Sequence, residues 1–180
     1  AFLLNLKYFP VVFGYITPEK YLEEKVSHFS GVRWINNNLL DNSKVLYVGL
    51  AAYYYMDRDY IPIEATYIDY SSFSVPNELK RALKDLGITH VYIEGDDNGN
   101  AMLNQYRKSE LNGYSFNTVT DCLQWVAVNP NYVSLKATVL MRAMELNGDL
   151  SLIKLIKTKV ITSRTKGTSR ESEVSVYAFE

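Results

Sequence analysis

The feature that most constrains the fold is a continuous apolar run, Val45–Leu50, which follows Lys44. A strand with one solvated face alternates polar and apolar residues. This run does not alternate, so we expect both of its faces to be buried. Strands of that kind belong to parallel sheets that are covered by helices on each side. The run therefore predicts an α/β fold in which it forms the central strand.

A strand–helix–strand pattern follows this run. Ala65–Tyr70 is rich in β-forming residues, and Pro76–Leu86 has the apolar spacing of an amphipathic helix that ends at Gly87. Ile88–Glu94 is a further strand. Because parallel strands are joined by right-handed crossovers, this pattern predicts a parallel sheet. The predicted strand order is Thr66–Tyr70, Val45–Leu50, Ile88–Ile93.

Helix and hairpin patterns flank the predicted sheet. Thr17–Glu19 has the capping residues of a helix start, and Leu150–Ile161 and Glu173–Phe179 are typical of two strands of an antiparallel hairpin. We therefore expect a three-layer Rossmann-like sheet of three parallel strands plus the C-terminal antiparallel pair, with helices on both faces. Residues 17–180 should form this single α/β domain.

Composition excludes several classes of protein. The chain has 180 residues, of which 47% are hydrophobic, so it has enough apolar material for one domain with one core. Its 19 Lys and Arg against 20 Asp and Glu give a net charge of −1, so we expect no nucleic-acid partner. Cys122, His28 and His90 are too few for a disulfide or a closed zinc site, so no metal is expected.

The strongest argument for an enzyme is a nucleotide- or S-adenosylmethionine-binding pattern. Gly49 ends the central strand, and Asp69 ends the next predicted strand 20 residues later, where a ribose-binding acid would lie. The glycine-rich turn is missing, because Leu50–Tyr55 follows Gly49 with bulky side chains. We therefore expect no cofactor. A free-standing Rossmann-like enzyme, either a methyltransferase or a nucleotide-dependent enzyme, is the alternative hypothesis.

Other polar residues are of the types that serve as catalytic or metal-binding groups. Oxygen ligands gather at the end of the third strand at Glu94, Asp96, Asp97 and Asn98. Their spacing does not match a calcium loop, so we interpret this segment as a solvated turn. His90 lies inside a predicted strand and His28 on a predicted helix face, and neither has an obvious nucleophile beside it. No G-x-S-x-G nucleophile elbow is present.

The most unusual segment is Tyr53–Tyr60, in a chain with 15 tyrosines. Tyrosine rings offer rigid apolar faces and a hydroxyl, which suit both sugar rings and protein partners. Its arginine could bind a phosphate or hold a carboxylate of the protein itself. The predicted ligand or docking loop consists of Tyr54, Tyr55, Asp57 and Arg58. The alternative is a structural tyrosine cluster held by an Arg–Asp pair.

One span of the C-terminal hairpin contains basic residues and no acidic ones. Its members are Lys154, Lys157, Lys159, Arg164, Lys166 and Arg170. Near an anionic membrane surface each such charge contributes up to about 1 kcal/mol. We therefore interpret them as a membrane-facing basic patch, with a plain solvated hairpin as the alternative.

The N-terminal segment begins without Met in the middle of an apolar phrase. We interpret residues 1–16 as the segment that follows a transmembrane helix, with a buried N-terminal strand or arm as the alternative. No run in the chain reaches the roughly 20 apolar residues that cross a bilayer.

Ordered motifs carry a family resemblance. They are Phe9–Leu22, Trp34–Asn36, Lys44–Gly49, Tyr54–Arg58 and Leu86–Ile93. Their order and spacing resemble the soluble C-terminal domain of polyprenyl-phosphate-sugar-dependent membrane glycosyltransferases, of the protein-O-mannosyltransferase and aminoarabinose-transferase type. In that family a "G-x-x-s-x-x-e-Y-L" helix, an "i-N" helix end, a "k-V-l" strand, a "Y-y-x-x-R" loop and a "G-I-T-h-v" strand follow the last transmembrane helix. The resemblance covers residues 9–95 well and the closing strands loosely, whereas residues 96–148 do not match.

The resemblance implies an extracytoplasmic domain, soluble when isolated, of a membrane enzyme that transfers a sugar from a lipid-phosphate carrier. The catalytic carboxylate of the family lies in its membrane part, so this domain should be inactive alone and should serve acceptor access or docking. Its partners would be the transmembrane portion of the same polypeptide and a lipid-linked sugar or a glycan or protein acceptor. A sugar- or protein-binding module without a catalytic partner is a further alternative.

Overall fold

The computed structural model describes residues 14–49, 52–63, 68–94, 116–129, 133–163 and 168–180. The helices in these ranges are α1 (Pro18–Lys25), α2 (Phe29–Asn38), α3 (Pro76–Asp85), α4 (Val119–Val128) and α5 (Val133–Leu146). The strands are β1 (Lys44–Val48), β2 (Asp59–Pro62), β3 (His90–Glu94), β4 (Leu150–Ser163) and β5 (Thr168–Phe179). Two short 3-10 turns, Tyr53–Tyr55 and Tyr70–Ser72, lie in the connections on either side of β2.

The five described strands form one mixed sheet in the order β2-β1-β3-β5-β4. β1 pairs in parallel with both β2 and β3, so it is the central strand of the parallel part. β5 pairs antiparallel with β3 on one side and with β4 on the other. The predicted α/β class, the three parallel strands and the C-terminal antiparallel pair are therefore confirmed.

The identity of the second parallel strand was predicted wrongly. The neighbour of β1 is β2, in which Asp59 is opposite Lys44, rather than Thr66–Tyr70. Of the segment predicted as a strand, residues 68 and 69 have no strand pairing and Tyr70 begins a 3-10 turn, while residues 65–67 lie outside the described ranges. A proline argues against a central strand, but β2 is an edge strand, where the missing N–H of Pro62 costs no ladder hydrogen bond.

The sheet separates two hydrophobic clusters. Alternate residues of β1 belong to different clusters, with Leu46 and Val48 in the first and Val45 and Tyr47 in the second. Helices α3, α4 and α5 supply the helical part of the first cluster, and α2 supplies that of the second. Helices therefore cover both faces, which explains why β1 is apolar at every position from Val45 to Val48.

The helix before β3 ends as predicted. Gly87 has φ +76, the left-handed conformation that a glycine adopts without steric cost. Its N–H donates to the carbonyl of Lys84, and the N–H of Ile88 donates to the carbonyl of Leu83. These two bonds satisfy carbonyls at the end of α3 and direct the chain into the next strand.

The C-terminal hairpin is longer than predicted and is attached to the N-terminal helices. β4 extends to Ser163 and β5 begins at Thr168. At the outer edge of β4, the N–H of His28 donates to the carbonyl of Lys159 at 2.9 Å, and the N–H of Ile161 donates to Ser27 Oγ at 2.9 Å. The junction between α1 and α2 therefore covers part of the sheet edge.

Among the described residues, no helix combines the length and apolarity that crossing a bilayer requires. Most of the N-terminal segment predicted to follow a transmembrane helix, residues 1–13, lies outside the described ranges. That interpretation, and the boundary at residue 17, stay predictions.

Candidate functional site

The candidate site is the loop of residues 53–58, which we call the Tyr/Arg loop. It follows β1 and lies against the last turn of α2. The side-chain amide of Asn36 donates to the carbonyl of Tyr55 at 2.9 Å, and its oxygen accepts from the N–H of Asp57 at 2.9 Å. One helix residue thus holds the loop backbone through both ends of its amide group.

Arg58 completes this connection from the loop side. Its Nε and Nη2 donate to the carbonyl of Leu39 at 3.1 and 3.0 Å, and Nη2 also donates to the carbonyl of Asn36 at 2.8 Å. Asp41 Oδ1 lies 3.0 Å from Nη2. The guanidinium therefore satisfies carbonyls that the end of α2 leaves without helical partners. Only 14% of this side chain is exposed, so these contacts are those of the structural alternative, with Asp41 as the acidic partner rather than Asp57 or Asp59.

The tyrosines of the loop are carried by the backbone that these contacts hold. Tyr53 packs on the buried ring of Tyr47, with centroids 5.4 Å apart, and on Tyr60 at 5.5 Å. Tyr54 lies outside this cluster against Tyr53 and is 76% exposed, whereas Tyr55 is 40% exposed and meets Phe29 edge to face. A hydrogen-bonded backbone therefore carries one almost fully exposed aromatic ring.

A buried polar cluster supports the base of the loop. The hydroxyl of Tyr47 donates to Glu94 Oε1 and accepts from the N–H of Ala52 at 3.1 Å. Glu94 Oε2 lies 4.0 Å from Nε2 of the buried His28. The ring of Tyr92 stacks on Tyr47 at 4.9 Å, and its burial raises the pKa of its phenol. The loop is thus linked to the carboxyl ends of both β1 and β3.

The space above Gly49 is filled by the carboxyl group of Glu94. A Cβ added to Gly49 would overlap the carboxyl group of Glu94. In dinucleotide-binding folds the corresponding position after the first strand allows the backbone to approach a pyrophosphate. Here the close approach is made by an acidic side chain of the protein itself. Among the described residues, no glycine-rich turn lies at this end of the sheet.

Asp69 does not lie at the end of a strand, so that part of the nucleotide-binding pattern is wrong. Its carboxylate accepts from the N–H of Ser71 at 3.0 Å and from the Ser71 hydroxyl. These hydrogen bonds lower the pKa of Asp69, with the side-chain bond as the larger cause. The residue therefore caps the 3-10 turn Tyr70–Ser72 rather than facing a ribose site.

The two histidines lie in local structural positions in the described part of the chain. His28 does not lie on a helix face as predicted, but precedes α2 in a left-handed conformation with φ 60. Nδ1 of His90 lies 2.8 Å from the hydroxyl of Thr89, and burial lowers the pKa of this half-buried histidine. Residues 96–98 of the oxygen-rich turn lie outside the described ranges. Within those ranges no three His, Cys, Asp or Glu residues are arranged to hold a metal ion.

The predicted basic patch acquires acidic neighbours through strand pairing. In the β4–β5 register Lys157 is opposite Glu173 and Lys159 is opposite Glu171. Lys154 and Arg170 are opposite valines, whereas Arg164 and Lys166 lie outside the described ranges. Directly opposed residues of a hairpin lie on the same face. The hairpin therefore presents mixed charge, which a search along the sequence of one strand does not reveal.

Comparison of the chain with protein-family models, with curated proteins and with solved structures finds no match.

Proposed function

We propose that the chain is a non-catalytic accessory domain of a membrane glycosyltransferase that transfers a sugar from a lipid-phosphate carrier. The Tyr/Arg loop would contact the acceptor or the membrane part. The observation that carries this proposal is the exposed ring of Tyr54 on a backbone held by Asn36 and Arg58. In this proposal the domain lies on the extracytoplasmic face and the transmembrane portion belongs to the same polypeptide.

The hydrogen bonds give a physical reason for two of the motifs in the resemblance. Trp34–Asn36 matches the "i-N" helix end, and Tyr54–Arg58 matches the "Y-y-x-x-R" loop. The asparagine of the first motif holds the backbone of the second, and the arginine of the second satisfies a carbonyl of the first. Each motif is degenerate, so a match to either one alone is weak support. A direct contact between the two matched segments gives a physical reason for both motifs to occur in one chain, which supports the resemblance.

The exposed ring suits a recognition role. A tyrosine offers a large apolar face to a sugar ring or a protein, and its hydroxyl can make a directed hydrogen bond. Because the loop backbone is already held, binding would lose little conformational entropy in ordering it. Leu40, 74% exposed and one residue beyond the carbonyl that Arg58 holds, adds apolar area beside the loop. Affinity would then come from a preformed surface.

The filled end of the sheet supports an accessory role over a nucleotide-dependent enzyme. The carboxyl group of Glu94 lies against Gly49 and occupies space that a pyrophosphate would need. Asp69, the other residue of the nucleotide-binding pattern, caps a local turn. The described residues therefore favour a domain that recognises over one that holds a cofactor at this edge.

The test is Tyr54→Ala in the full-length membrane protein, assayed for transfer from a lipid-linked sugar in proteoliposomes. We expect transfer to fall about tenfold, which corresponds to ~1.4 kcal/mol of lost interaction. The melting temperature should stay the same, since the ring is 76% exposed. Tyr15→Ala is the matched control, because Tyr15 is 74% exposed and lies outside the loop. Equal transfer by both variants, or a reading frame without transmembrane helices upstream of Ala1, would contradict the proposal.

A further inference from the structure

A polar cleft of about 480 Å³ separates the N-terminal helices from the C-terminal hairpin. This volume is in the range of small-molecule sites. The lining residues come from α1, α2, β4 and β5, and they are Lys20, Glu23, Glu24, Ser30, Arg33, Lys157, Thr158, Lys159 and Glu171. None of them belongs to the Tyr/Arg loop, so the cleft is a second, separate candidate site.

The walls of the cleft are held together by hydrogen bonds. Ser30 Oγ donates to Thr158 Oγ1 at 3.1 Å, and Thr158 is only 5% exposed. The backbone bond from His28 to Lys159 joins the same two walls. The two walls are therefore joined before a ligand enters, so binding does not have to bring them together.

The charged groups in the cleft are only partly paired. Arg33 Nη1 and Glu23 Oε1 form an ion pair at 2.6 Å. The other cationic lining residues form no ion pair with any carboxylate of the described chain, and they are Lys20, Lys157 and Lys159. Together with Arg33 they give the cleft four cationic side chains against the three carboxylates of Glu23, Glu24 and Glu171. This small excess of positive charge favours an anion of low charge. A phosphate ester, with up to two negative charges and several acceptor oxygens, satisfies such a set of donors.

The remaining lining residues restrict the ligand further. Glu24 and Glu171 also face the cleft and make no ion pair within the described ranges. Carboxylates accept hydrogen bonds from hydroxyl groups but repel additional phosphates. A ligand that matches both the lysines and the glutamates carries one phosphate and free hydroxyls on a short chain.

We propose that this cleft binds a phosphoglycerol group, with its phosphate on the lysines and its hydroxyls on the glutamates. Such a group occurs as free glycerol phosphate and as the headgroup of phosphatidylglycerol. The proposal does not rest on the proposed function, because the isolated chain should bind the group whether or not it belongs to a glycosyltransferase.

The first test is a titration of the ¹⁵N-labelled chain with glycerol 3-phosphate, followed by amide chemical shifts. We expect shifts at amides that line the cleft, and binding about threefold weaker for inorganic phosphate, which lacks the hydroxyls. Lys157→Glu should weaken glycerol phosphate binding about tenfold, since it removes one cation and adds one anion. Lys154→Glu is the matched control on the same strand, because Lys154 does not line the cleft, and it should change binding less than about twofold.

Vesicles distinguish the two sources of the group. Cosedimentation with phosphatidylglycerol vesicles but not with phosphatidylcholine vesicles, weakened by Lys157→Glu, would support a membrane headgroup. Binding of glycerol phosphate without vesicle binding would support a free phosphate ester. The proposal is wrong if glycerol phosphate does not shift the cleft amides, or if inorganic phosphate binds as tightly. It is also wrong if Lys154→Glu weakens binding as much as Lys157→Glu does, because diffuse surface charge would then explain the effect.

Discussion

At the residue scale, Gly49 has no room for a side chain, because the carboxyl group of Glu94 lies where a Cβ would be. We expect Gly49→Ala to destabilise the protein by roughly 1–3 kcal/mol, because the added methyl group would displace the buried carboxyl group. Displacement would also break its hydrogen bond with the Tyr47 hydroxyl. Urea denaturation measures the free energy of unfolding.

A double-mutant cycle separates this mechanism from a general backbone effect. Glu94→Ala removes the group that the new methyl would meet, so the double variant should lose less stability than the sum of the single variants. Additive losses would mean that Gly49 is required for a reason other than the carboxyl group.

The sequence identified Gly49 as a special position but not its partner. A glycine at the end of a buried strand indicates a close approach, and the pattern suggested a phosphate. The actual neighbour, Glu94, ends a different strand, and its buried carboxyl group accepts a hydrogen bond from the Tyr47 hydroxyl. Contacts between distant segments leave no periodic signal. The expectation of no cofactor therefore rests on the bulky side chains of Leu50–Tyr55, and the sequence gives no sign that Glu94 lies against Gly49.

At the element scale, the contact between α2 and the Tyr/Arg loop makes a local prediction. Asn36→Ala should cost roughly 1–2 kcal/mol, because it removes one hydrogen bond to Tyr55 and one from Asp57. The loop should also loosen, so the amide of Asp57 should exchange with deuterium faster. Asn37→Ala is the matched control, since Asn37 is the next residue in α2 and its side chain is exposed. Equal exchange at Asp57 in both variants would show that the asparagine does not hold the loop.

Elements with a strong local signal were predicted well, and those that depend on their neighbours were not. The apolar run of β1 and the glycine after α3 each carry their own signal, and both lie as expected. In the sequence alone, Asp59 and Pro62 argue against a strand. β2 tolerates them because it lies at the edge of the described sheet. The acids opposite the basic hairpin likewise become visible only once the register of β4 and β5 is known.

At the scale of the whole molecule, several contacts join elements that are distant along the chain. Ser30 and Thr158, whose hydroxyls are hydrogen bonded, are separated by 128 residues. β3 pairs with β5, which lies beyond helices α4 and α5 in the chain. Such non-local pairing makes folding slow, because long loops must close before the contacts form. The two hydrophobic clusters share this sheet, because alternate residues of its strands belong to different clusters.

A shared sheet predicts that the two clusters unfold together. Trp125 is buried in the first cluster and Trp34 packs against the second, so Trp34→Phe and Trp125→Phe leave one fluorescent reporter for each cluster. Both variants should show a single urea transition with the same midpoint as circular dichroism. Separate midpoints for the two reporters would mean that each cluster is an independent cooperative unit.

Core substitutions extend this test, since a loss of stability in either cluster should lower the urea midpoint that both tryptophan reporters show. Ile35→Ala in the second cluster and Leu83→Ala in the first remove fully buried side chains, so each should cost about 2–5 kcal/mol. In the background that keeps only Trp125, Ile35→Ala should lower the midpoint as much as circular dichroism shows, although Ile35 lies on the other face of the sheet. Leu40→Ala, at a residue that is 74% exposed, should change the free energy of unfolding by less than about 0.5 kcal/mol. A midpoint that shifts only for the reporter on the substituted face would show that β1, β3 and β5 do not couple the two clusters.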